Sequence, residues 1–144
     1  MKKFNLTKTL LTGAALALLT VGFNACKKDD GDDRDKFIGV WSGQETCTTG
    51  QDSYQLTITK SSTEDVKIVL TNVYNQNFTA TATVSGNAFT VTSQNVAQNV
   101  TVSGNGSVNE NAITFQFSIQ DNAGQSDACT FIGTKLWFLK HYFW

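Results

Sequence analysis

From Phe37 onward the sequence keeps one rhythm, with a large apolar side chain at every second place and polar ones between, interrupted by short clusters of Gly, Asn, Asp and Ser. Phe78-Thr-Ala80-Thr-Ala82-Thr-Val84 and Ile113-Thr-Phe115-Gln-Phe117-Ser-Ile119 are the purest cases. A period of two fits a strand, whose successive side chains point to opposite faces, and does not fit a helix. It predicts a sheet with one buried and one wet face. The chain contains no proline, so no segment loses a ladder donor on that account.

Read in order, Gly39-Val40-Trp41 opens a strand running to about Thr48, and Tyr54-Gln-Leu56-Thr-Ile58-Thr forms a second. Val66 to Thr71 is apolar at nearly every place, and the alternating run 78–84 follows it. Ser85-Gly86-Asn87-Ala88 has the form of a two-residue hairpin turn, leading into Phe89-Thr-Val91-Thr. Val100, Val102, Gly104, Gly106 and Val108 then share one face, where glycines let a sheet bend or admit another backbone closely. Asn109-Glu110-Asn111 reverses the chain into Ile113–Ile119, and Cys129-Thr-Phe131-Ile-Gly133-Thr is the last strand. About eight short strands with short links, and no helix to cover a parallel sheet, predict an all-β, antiparallel up-and-down meander. Closing or nearly closing it into a barrel removes the exposed edges.

Ahead of this domain, Met1-Lys2-Lys3 and Lys8 precede an uncharged run of apolar, small and hydroxyl residues from Leu10 to Phe23. That is the length of a secretory signal and short of the roughly 20 apolar residues of a spanning helix. Cys26 stands directly behind Ala25, and the arrangement resembles a bacterial lipoprotein signal. The resemblance implies a diacylglyceryl group on Cys26, cleavage before it, and acylation of the freed amine by a chain such as palmitate. Two or three acyl chains hold a protein firmly where one does not. Lys27-Lys28-Asp29-Asp30 is similar to the export signal of Bacteroidetes-type surface lipoproteins. The expected organisation is signal peptide 1–25, lipidated Cys and flexible acidic tether 26–36, barrel 37–135 and aromatic tail 136–144. The expected address is the outer membrane, lipid-anchored at the cell surface, with the periplasmic face as the alternative.

Loss of residues 1–25 removes Lys2, Lys3 and Lys8, leaving eight basic against twelve acidic side chains, a formal charge of −4. Nucleic acid is disfavoured as a partner, because phosphate neutralisation needs clustered Lys and Arg. Asp29, Asp30, Asp32, Asp33 and Asp35 surround Gly31, but their spacing is not that of a calcium loop and no bidentate Glu closes it. A solvated, self-repelling linker is the simpler reading.

With Cys26 assigned to lipid, Cys47 on the first strand and Cys129 on the last remain, in a chain bound for an oxidising compartment. They are expected to pair, since a closed meander makes those strands neighbours; two free buried thiols are the alternative. Phe37-Ile38-Gly39-Val40-Trp41 resembles the Gly-x-Trp signature near the first strand of lipocalins and related calycins. The resemblance implies that Trp41 plugs one end of an eight-stranded barrel, with Lys135 as the one candidate cation to pack over it. It also implies an internal pocket, for which Tyr54, Phe78, Phe89, Phe115 and Phe117 are the candidate lining. The same rings would equally serve to fill a small barrel.

Catalytic signals are sparse. The one histidine, His141, lies in the tail Leu136–Trp144, and no Ser or Cys has a His and Asp to form a relay. Glu45, Glu64, Asp65 and Glu110 are the carboxylates available for paired acid–base work. No His or Cys cluster suggests a metal, and no cofactor motif is present. The tail reads as a cap over one barrel end or as an apolar patch. The expectation is therefore a non-catalytic lipoprotein with a binding or structural role, the competing reading being a carrier of a small apolar ligand.

Overall fold

The alternation resolves into eight strands: β1 (Gly39–Cys47), β2 (Gln51–Lys60), β3 (Lys67–Val73), β4 (Phe78–Ser85), β5 (Ala88–Ala97), β6 (Val100–Asn109), β7 (Ala112–Asp121) and β8 (Ser126–Lys135). Each pairs antiparallel with the next, and β8 returns to β1, so the sheet is a closed up-and-down barrel of lipocalin-like form. This computed structural model describes residues 31–137. The signal segment, Cys26, the tether up to Asp30, and residues 138–144 with His141 lie outside the described residues.

Closure is made by seven register pairs between β1 and β8, from Trp41↔Lys135 to Cys47↔Cys129. The last pair carries a disulfide, with Cα atoms 4.0 Å apart and 82 residues of sequence separation. The expected pairing of Cys47 with Cys129 is thus present. The hairpin at Gly86 is also as expected: Ser85 pairs with Ala88, and Gly86 takes φ +60°, a left-handed value glycine adopts without a Cβ penalty.

Two local features depart from simple alternation. In β3 the register slips between Thr71 and Val73, where Asn72 adopts φ 71° and its side chain donates to Gln55 O and accepts from Asn77 N. This bulge turns Val73 inward, where it is fully buried. In β5 the register slips twice beyond Val91, so the strand runs on to Ala97 through residues that look like loop.

Inward parity selects the core. Trp41, Leu56, Ile58, Ile68, Leu70, Ile113, Phe115 and Phe131 are fully buried. The two glycines of β6 make room in different ways: a Cβ on Gly104 would lie 2.3 Å from Gln116 O, the close backbone approach expected from the sequence, and one on Gly106 would lie 2.1 Å from the Phe89 ring. Gly106 therefore makes the space in which Phe89 packs edge-on against Phe37, at 5.5 Å between centroids.

The strand register separates two ends. At one, the floor, Trp41 donates its Nε1–H to Phe37 O at 2.7 Å, and a 3-10 turn at Asp33–Lys36 lies beside it. Lys135 Nζ sits 5.1 Å from the centre of the Trp41 ring, so the cation over the tryptophan comes from the last strand. The chain from Asp32 to Lys36, assigned from sequence to the tether, is engaged here. Arg34, buried, forks onto Asp32 and donates to Glu64 O, while Lys60 bridges Asp32 and Asp35. Arg34, then Lys60, hold the Asp32 carboxyl far below the usual range.

Candidate functional site

The other end, the mouth, is bounded by the β1–β2, β3–β4, β5–β6 and β7–β8 turns. An open cleft of about 220 Å³ enters it, lined by Glu45, Cys47, Thr49, Gly50, Gln51, Asp52, Tyr74 and Gln76. Inward-facing residues near the opposite part of the rim are apolar: Phe78, Val96 and Val100 pack on the core yet remain only half-buried.

Glu45 stands at the centre. It follows Trp41 and Gly43 at the same parity on β1, so the sheet directs it inward, and only 3% of it is exposed. Tyr54, from the neighbouring strand, donates its hydroxyl to Glu45 Oε2 at 2.6 Å. The other oxygen, Oε1, lies 3.4 Å from Cys47 Sγ, which has no hydrogen to give because it is bonded to Cys129 Sγ. Burial pushes the Glu45 carboxyl up, reinforced by the nearby charges of Asp52 and Asp127 and opposed by the Tyr54 hydroxyl. Burial, then the bond to Glu45, raise the Tyr54 phenol strongly, so it remains a donor.

Asp127 is the second buried acid, at the inward parity of Cys129 and Phe131 on β8. Three hydroxyls serve it. Thr48 donates to Oδ1 and Thr49 to Oδ2, and Tyr74 reaches Oδ2 at 2.9 Å. Burial alone would raise this carboxyl, but the three donors overcome it and bring it down to about 2. Asp127 thereby ties the β1–β2 and β3–β4 turns to β8. Asp52, exposed at the rim, accepts from Ser53 N at 2.7 Å and from Asn75 Nδ2 at 2.6 Å.

Sequence-derived candidates are distributed as follows. Phe89, Phe115 and Phe117 form one chain of rings, with centroids 5.3 Å and 4.6 Å apart. Tyr54 packs instead against Phe131, at 5.0 Å, and Phe78 stands half-buried near the rim. Of the four carboxylates singled out for acid–base work, only Glu45 is at the mouth. Glu64 and Asp65 lie in the β2–β3 connection and Glu110 in the β6–β7 turn, all at the floor end. Asp127, Tyr74, Thr48 and Thr49 were not singled out from sequence, although the parity of Asp127 with Phe131 marks it as inward. Glu45, Cys47 and Cys129 place one ligand atom each within 4.8 Å of one another. Metals bind thiolates, and with the sulfurs joined this group offers a single carboxylate.

The sequence matches no protein-family model and no curated protein significantly.

Proposed function

We propose that this protein is a non-catalytic binder of a small, largely apolar ligand, held at the outer membrane by lipid on Cys26 and receiving its ligand through the barrel mouth. The observation that carries the binding reading is the asymmetry of the two ends. The floor is filled by Phe37 and Trp41, both fully buried, and braced by the Arg34–Asp32–Lys60 ion pairs. The mouth has a cleft running down to Glu45, and near its rim Phe78, Val96 and Val100 keep part of their surface accessible. Small molecules bind in concave sites that combine apolar walls with a few placed polar groups; here the cleft supplies the polar groups, and the accessible parts of Phe78, Val96 and Val100 supply apolar surface across the mouth. The chain of rings from Phe37 through Phe89 and Phe115 to Phe117 favours a ligand seated near the rim over one sunk to the floor.

Anchoring rests on the sequence around Cys26. With Asp32–Lys36 held against the floor, the five residues Lys27 to Gly31 separate Cys26 from the barrel, a reach of roughly 17 Å at full extension.

Native mass spectrometry of the purified protein, with displacement of a fluorescent fatty acid as a second readout, tests the binding reading. A one-to-one adduct, or displaceable fluorescence reduced by Phe78→Ala, is expected. Absence of both for a broad panel of small molecules refutes it. Incorporation of labelled palmitate, abolished by Cys26→Ala, tests the anchor separately.

A further inference from the structure

The described basic side chains are Arg34, Lys36, Lys60, Lys67 and Lys135, and every one stands at the floor end of the barrel. The mouth carries Glu45, Asp52, Asp121 and Asp127, with no base among the described residues to oppose them. Acidity alone does not make a site. The second observation is a donor account of the acids at the cleft, in which a single oxygen goes unserved.

Asp127 receives three hydroxyl protons. Each oxygen of Asp52 accepts from an N–H. Glu45 Oε2 has Tyr54. Glu45 Oε1, on a side chain 97% removed from solvent and lining the cleft, faces only a disulfide sulfur without a hydrogen. Every other buried side-chain nitrogen and oxygen among the described residues has a hydrogen-bond partner. A buried acceptor left without a donor is costly, and an ionised one more so.

We propose that the mouth cleft takes the ammonium group of a small organic amine, which donates to Glu45 Oε1 beside the Tyr74 ring, the amine's apolar part lying toward the rim. This rests on the reading of the mouth as a ligand site and names the ligand's polar group. Ammonium supplies both the missing N–H and the missing positive charge, and a charge-assisted bond is stronger than a neutral one. Tyr74 also lines the cleft, and an aromatic ring attracts a cation seated over its face. A hard metal ion fits less well, because calcium takes six to eight oxygens and among the acids of the cleft only Glu45 Oε1 is without a donor. At about 30 Å³ per water, a cleft of about 220 Å³ suits a ligand of several heavy atoms.

Calorimetric titration of the full-length protein in detergent, with n-butylammonium, 1-butanol, butyrate and calcium as separate probes, tests the proposal. Butylammonium is expected to bind at least tenfold more tightly than butanol, with butyrate and calcium not binding. Glu45→Gln, which keeps the shape and leaves Tyr54 an acceptor, should weaken butylammonium at least tenfold. Asp52→Asn at the exposed rim should weaken it a few fold without touching the core, which keeps the test decisive if the Glu45 variant misfolds. Equal binding of butanol and butylammonium, or undiminished binding by Glu45→Gln, overturns the ammonium assignment and leaves the mouth a neutral-ligand site. No binding by any probe, with no adduct or fluorescent displacement, overturns both readings. A calcium response lost in Glu45→Gln replaces the amine with a metal.

Discussion

Removing the Cys47–Cys129 bond measures how the barrel is held shut. The bond closes a loop of 82 residues, and the chain-entropy relation assigns such a loop about 4.5 kcal/mol of destabilisation of the unfolded state. For a domain of about 100 residues, 1 kcal/mol moves the melting temperature by roughly 4 °C. The double variant Cys47→Ala/Cys129→Ala should therefore melt about 15–20 °C lower. The native seam does not depend on the bond, because six further register pairs join β1 to β8. Amide exchange protection along both strands should accordingly survive in the variant. Urea unfolding should show a larger m-value, since an unclosed chain exposes more surface when it unfolds. A melting shift below about 5 °C would refute the entropic account. So would selective loss of protection along β1 and β8, which would mean that the bond holds the native seam together.

Other perturbations report on the interior and the mouth. Gly106→Ala drives a Cβ into the Phe89 ring and should cost about 1–3 kcal/mol by overpacking, with part regained in the Gly106→Ala/Phe89→Leu double variant by urea melts. Asp127→Asn leaves three hydroxyls aimed at a side chain with fewer acceptors and should cost about 1–3 kcal/mol at pH 7. Because the folded carboxyl is depressed to about 2, its contribution is complete above the unfolded value near 4 and fades as pH falls toward 2. The gap between Asp127→Asn and the native protein should therefore close across that window. Glu45 has the opposite sign: its folded carboxyl is raised, so ionisation costs folding free energy above the ordinary carboxylate range. Glu45→Gln should be more stable than the native protein at neutral pH, with the advantage shrinking on acidification.

Legibility from sequence followed the side-chain period. β4 and β7 were readable because apolar and polar residues alternate without a break, and the turns at Gly86 and Glu110–Asn111 fall between clean runs. The bulge at Asn72 was not, since one polar residue inside an apolar segment looks like an ordinary outward position until its φ of 71° is known. The second half of β5 was missed for a related reason: its two register slips break the period. Asp32 to Lys36 read as solvated because an acidic run repels itself, whereas the partners that order it, Lys60 and the Glu64 carbonyl, arrive some thirty residues later. The signs of Glu45 and Asp127 were present all along, as charged residues at the inward parity of Trp41 and Phe131.

Parity puts both acids inside the barrel, and their neighbours make them differ. Both are buried at the mouth, but Asp127 lies beside two turns whose hydroxyls converge on it, and its charge is held by Thr48, Thr49 and Tyr74. Glu45 sits one step from a disulfide and receives a single proton, from Tyr54. One acid ties turns to a strand, and the other strains the fold. Among the described residues the other buried side-chain nitrogens and oxygens have partners, so that strain is concentrated on one oxygen bordering the cleft. A donor arriving from solution relieves it, so ligand binding and folding stability are coupled through Glu45. Neutralising the residue should raise the melting temperature of the empty protein while abolishing the rise that butylammonium produces in the native one. A variant that gained stability and kept the full ligand-induced shift would break this coupling.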